Sequence, residues 1–161
     1  MKLQLFQYVC EPLGHKFNAP ALPFNTYGKF LLRDEGGTSI SYLDALADST
    51  YPEVSTLLRG LVETAHLTAN KRADLLQRLY GEVACDPDDE GRAFIVGRHP
   101  KCPICASHTM RFWNEVVPDK FVDAEVPHVT HRHWQFLTEG QKLAKTKTWL
   151  CLNGLASRSS T

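Results

Sequence analysis

Cys102-Pro103-Ile104-Cys105 is the segment whose residue types and spacing suggest chemistry most directly. Two thiolates separated by two residues can hold one tetrahedral ion from a tight turn, as structural zinc sites require. One pair is half of such a site, and the chain has no second C-x-x-C. The other cysteines stand at positions 10, 85 and 151. Five is an odd number, which argues against a disulfide framework and for a reducing compartment. Cys85 and Cys151 fall on helical patterns and are expected in the core. Redox use of the pair would need the strand-then-helix context of thioredoxin-like sites, which the flanking residues lack.

Catalytic motifs are scarce. A zinc deaminase needs H-x-E beside P-C-x-x-C, so that the Glu can move protons for a metal-bound water. None of the seven histidines has Glu two residues later, and Pro100 is one position too far from Cys102. H-E-x-x-H, G-x-S-x-G and the P-loop are absent as well. Pro127 to Trp134 contains His128, His131 and His133, which could serve an HNH-like metal-dependent nuclease with Asn153 downstream. That pattern lacks an acidic residue directly before His128 and a Gly-rich turn after it. On a short helix His131 and His133 would also face different ways, which favours a surface or helix-capping role.

The segment Tyr8-Val9-Cys10-Glu11-Pro12-Leu13-Gly14-His15-Lys16-Phe17 bears on the missing half-site. It resembles the first knuckle of zinc-ribbon proteins, which reads aromatic-x-x-Cys-x-x-Cys-Gly-His-x-Phe, and small regulatory ribbons of the FmdB type are similar over this stretch. Cys102 to His108 resembles the second knuckle of the same family. The two segments cover about a tenth of the chain. Leu13 replaces the second cysteine of the first knuckle, and residues 18–101 exceed the usual spacer. The resemblance implies a Cys3His zinc site with Cys10, Cys102 and Cys105 as ligands. His15, in the same turn as Cys10, is the leading fourth ligand, with His99 and His108 as alternatives. Structural zinc in small peptides supplies roughly 10–16 kcal/mol of apparent binding energy, comparable to the ~5–15 kcal/mol net stability of a whole domain. The competing reading is a ribbon that has lost its metal and keeps Cys10 as a small buried apolar residue.

These residues need elements to position them. Residues 2–9 and 27–32 favour strands, and Pro12, Pro20 and Pro23 make the connection a loop. Ser41 with Asp44 is expected to cap a short helix that turns Tyr42, Leu43 and Leu46 inward. Thr50 with Glu53 has the capping-box pattern ahead of Val54, Leu57, Leu58, Leu61, Val62 and Ala65 at helical spacing. Thr68 can cap a helix burying Leu75, Leu76, Leu79, Tyr80 and Val83. Residues 86–91 read as a solvated acidic turn, without the ligand alternation of a calcium loop. Residues 93–96 and 109–116 read as strands flanking the Cys102–Cys105 turn. A short helix is expected from Thr130 through Trp134 to Leu137. Another, capped by Thr138 and Gln141, should run toward Trp149, and residues 153–161 form a frayed tail.

The expected whole is a single α+β domain over residues 1–161, a split zinc-ribbon-like β element around an inserted helical block. The ribbon halves fall at about 1–33 and 92–127, the insertion at 38–85 and a C-terminal helical segment at 130–151. The first residues are too often polar for a secretory signal, and no apolar run reaches the ~18 residues of a membrane span, so a soluble cytoplasmic chain is expected. Net charge is zero, but unevenly spread. Residues 1–33 carry four basic and one acidic side chain (+3), residues 34–91 four and twelve (−8), and residues 92–161 ten and five (+5). Either the acidic block faces a basic partner or the segments attract one another across the fold. The first possibility suggests a non-enzymatic adaptor or immunity-type inhibitor that binds a protein partner. An alternative is a nucleic-acid-binding regulatory ribbon using Lys16, Lys101, Arg111, Lys142, Lys145 and Lys147, although no dense basic run favours it.

Overall fold

A computed structural model describes residues 1–155. Strand β1, Lys2–Cys10, lies at the centre of the first antiparallel sheet and buries Leu3, Phe6, Tyr8, Val9 and Cys10. On one side it pairs with β2, Lys16–Ala21. Two strands share its other side: β6, Met110–Glu115, along Phe6 to Cys10, and β7, Phe121–Asp123, along Lys2 to Gln4. The second sheet places β3, Lys29–Asp34, between β4, Ile40–Asp44, and β5, Phe94–Val96. Residues assigned from sequence to the ribbon halves are thus divided between both sheets.

Two local expectations are overturned. The proline-rich connection contains β2, because an edge strand tolerates Pro20, which has no N–H to give. Residues 40–44 form a strand rather than a capped helix: they pair with β3 in register, Phe30 opposite Leu43 and Leu32 opposite Ser41. Asp44 accepts the N–H of Leu46 at 3.2 Å and turns the chain outward, so Leu46 is exposed instead of buried.

Helix α1, Thr50–Gly60, is held at its start by Asp48, whose carboxylate accepts the N–H groups of Thr50 and Tyr51 at 2.8 and 3.1 Å. The Thr50–Glu53 box therefore does not form, and Val62 and Ala65 lie beyond the helix and are exposed. Helix α2, Ala69–Ala84, starts at Thr68 as expected and buries Leu75, Leu76, Leu79, Tyr80 and Val83. It lies close against β5 at Gly81, where a Cβ would stand 2.0 Å from the Phe94 carbonyl oxygen. Helix α3, Arg132–Phe136, is short, and α4, Glu139–Leu152, opens with the complete Thr138–Gln141 capping box.

The acidic turn is not simply solvated. Asp86 is buried and accepts the N–H groups of Arg132 and His133 at 2.9 Å each, plus the Thr130 hydroxyl, capping α3 from a distance. These donors outweigh the opposing effect of burial and hold its carboxyl at about 2.

The main core joins the second sheet to the helices around Leu43, Leu58, Leu79, Tyr80, Trp134 and Leu150. A smaller cluster of Phe6, Tyr8 and Ala19 serves the first sheet. Among the described residues no helix is long and apolar enough to cross a membrane. Of the expected tail, residues 153–155 form an exposed turn, and residues 156–161 lie outside the described part.

Candidate metal centre

Cys10 ends β1, and the chain reverses through residues 11–15 to enter β2. The turn closes with the Gly14 N–H on the Cys10 carbonyl at 3.0 Å and the Cys10 N–H on the His15 carbonyl at 3.0 Å. Residues 102–107 repeat this arrangement. There the Ala106 N–H meets the Cys102 carbonyl at 2.9 Å and the Cys102 N–H meets the Ser107 carbonyl at 2.8 Å. Each turn needs a left-handed residue four places after its cysteine: Gly14 at φ +69° and Ala106 at φ +59°. The two turns are therefore a matched pair of knuckles, facing each other because β1 pairs with β6.

Cys10, His15, Cys102 and Cys105 place one ligand atom each within 4.8 Å of all the others. Cys10 Sγ and Cys105 Sγ are 3.7 Å apart, and so are Cys102 Sγ and His15 Nδ1. Two thiolates bound tetrahedrally at ~2.3 Å from one ion would be about 3.8 Å apart. The separations thus suit a shared ion and are far too long for a disulfide of ~2.05 Å. Backbone amides favour the thiolate at two of the sulfurs. Burial opposes this, but the amides of Leu13 and His15 at Cys10, and of Cys105 and Ile104 at Cys102, bring both thiols below the ordinary value. The His15 N–H to Cys10 Sγ contact is 3.2 Å.

The matched turns explain Leu13. It occupies in the first knuckle the position of Cys105 in the second and points outward, 66% exposed. His15, two residues further on, supplies the fourth donor instead. His99 and His108 stay outside the group: the His99 ring packs 4.4 Å from that of Trp113, and His108 Nδ1 lies 3.1 Å from the His99 carbonyl oxygen.

The other histidines do not converge. His128 packs edge-on to Tyr42, and His133 Nδ1 is 2.9 Å from Asp86. Buried His131 contacts Asp48 through Nε2 at 2.7 Å and the Ala84 carbonyl through Nδ1 at 2.8 Å. Tyr80 also donates to Asp48, at 3.0 Å. Helical periodicity did not signal this network, since its members lie on three separate segments. Buried Cys85 has its thiol pushed up by burial, as befits an inert core residue, and Cys151 is half-buried in α4.

No family model, curated protein or solved structure matches this chain.

Proposed function

We propose that this chain is a non-enzymatic zinc-binding protein that acts as a protein-binding adaptor or inhibitor, with Cys10, His15, Cys102 and Cys105 holding a structural ion. The observation that carries this reading is the complete donor set: four ligands fill a tetrahedron, whereas a catalytic zinc keeps one position for water or substrate. Three thiolates and an imidazole favour zinc among the common divalent ions, and the likeness to regulatory ribbon knuckles agrees.

The knuckle tips support a protein partner. Leu13 and Ile104 project from the two turns, each 66% exposed, so the ion would fix two apolar side chains on one end of the molecule. Charge supports it less than the sequence suggests. Of nine ion pairs among the described residues, eight join a carboxylate of residues 34–91 to a basic or histidine side chain of residues 92–155; Lys142–Glu139 is the ninth. The same pairing counts against the nucleic-acid alternative, since Lys142 and Lys147 are engaged by Glu53 and Glu63.

The test compares the full chain with a Leu13→Asp/Ile104→Asp variant in affinity capture from the native host. The variant should keep its zinc and lose a partner that the parent retains. Equal capture by both proteins, or no partner even at low salt, would contradict the reading.

A further inference from the structure

A small cavity of about 190 Å³ is lined by residues of β1, β2, β3 and the 97–100 segment, among them Tyr8, Lys29, Arg33, Arg98, His99 and Pro100. Among the described residues no carboxylate lines it. Arg33 sits in β3 and is only 7% exposed, yet among the described residues it has no ion pair. Its Nη2 donates to the Pro20 carbonyl at 2.8 Å, one bond for a group with five N–H donors. Burial draws Arg33 below its ordinary value. Arg98 contributes a second anomaly: its Nε is buried without a hydrogen-bond partner among the described residues, although Nη2 reaches the Glu35 carbonyl at 3.3 Å.

A buried guanidinium without a counter-charge is costly. Tying the two sheets together through Pro20 explains one N–H of Arg33. It explains neither the orphaned Nε of Arg98 nor the lack of any acid in a wall that carries three cations. Guanidiniums match the oxygens of a phosphate, and a third cation in the same lining suits a dianion better than a carboxylate. The cavity is smaller than the roughly 300–1,000 Å³ that encloses a whole ligand, so it suits the charged end alone.

We propose that this cavity binds the phosphate group of a small phosphorylated molecule, with Arg33 and Arg98 as its guanidinium clamp and Lys29 as a further cation of the lining. The rest of the ligand stays outside. This site is separate from the partner surface proposed above and does not depend on it.

The test titrates the full, metal-containing chain with inorganic phosphate and with phenyl phosphate at constant ionic strength, following arginine Nε–H resonances and tryptophan fluorescence. Both probes should give saturable binding in the millimolar range or tighter, shifting the Arg33 and Arg98 signals, while acetate and chloride should not. Arg98→Gln, a change at a half-exposed position, should keep the thermal unfolding temperature and weaken phosphate at least about tenfold. Absence of saturation, equal binding of acetate, or undiminished affinity in Arg98→Gln would overturn the site. A short single-stranded oligonucleotide competing far more strongly than phenyl phosphate, in an Arg98-dependent way, would overturn the small-molecule assignment.

Discussion

At Leu13 a leucine stands where a cysteine would complete the first knuckle, yet the donor set is whole because His15 reaches back from the start of β2. Both knuckles share a hydrogen-bond pattern, so position 13 has the same relation to Cys10 that Cys105 has to Cys102. This equivalence leads to a rescue experiment. Losing a group that merely orients a ligand costs about 10–100-fold in metal affinity, and losing the ligand itself should cost more. His15→Ala is expected to weaken zinc by at least that factor, and Leu13→Cys on the same background should restore most of it. Competition with a chelating dye measures both steps, and a double variant no tighter than His15→Ala would refute the equivalence. The sequence held the relevant signal, a small residue four places after each cysteine, but recognising it requires seeing that both turns need a left-handed residue there.

Elements were legible in proportion to how locally they are determined. Helices α2 and α4 carry their own caps at Thr68 and Thr138; a buried apolar stripe adds to the signal in α2, whereas in α4 the Thr138–Gln141 pair carries it. Strand β4 is not a helix because Ser41 and Asp44 look like capping residues only until β3 is there to pair with them. Helix α1 follows its apolar spacing as far as Gly60, but Asp48 rather than Thr50 holds its first turn. The cap of α3 was invisible, since Asp86 lies 46 residues before Arg132. Gly81 is likewise silent in the α2 pattern, where Ala would ordinarily be the better helix former by roughly 1 kcal/mol. Packing reverses that preference, because a Cβ there meets the Phe94 carbonyl oxygen at 2.0 Å and its carbon at 2.7 Å. Gly81→Ala should therefore destabilise the protein by about 1–3 kcal/mol or more in denaturant unfolding, as overpacking does. A neutral or stabilising result would show that α2 and β5 do not approach this closely.

Across the whole molecule, charge that looks segregated in sequence is paired in space. The acidic middle and the basic C-terminal segment hold each other, most deeply at Asp48 and His131. Burial opposes the charge on each, but their mutual contact and the other hydrogen bonds raise His131 and lower Asp48. The raised histidine contributes stability that is fully present below its unfolded value of ~6.5 and lost as pH rises through its folded value. The lowered carboxylate contributes stability present above ~3.9 and lost as pH falls through its folded value. Their joint contribution should be greatest between those limits. His131→Gln should cost roughly 1.5–3 kcal/mol, the usual cost of losing one hydrogen bond to a charged group, since Thr50, Tyr51 and Tyr80 still hold Asp48, and flatten the decline in stability above neutrality. A variant with the parent's stability and pH profile would contradict this.

The fold's two knuckles lie 92 residues apart, from Cys10 to Cys102, and a shared ion would join them directly. The most direct test is the metal content of the freshly purified full chain, by mass spectrometry, beside that of a Cys102→Ser/Cys105→Ser variant. The account predicts one zinc per chain in the parent, and in the variant neither zinc nor a cooperative unfolding transition at the parent's temperature. A parent that carries no zinc and takes none up, while folding as stably as the variant, would contradict it.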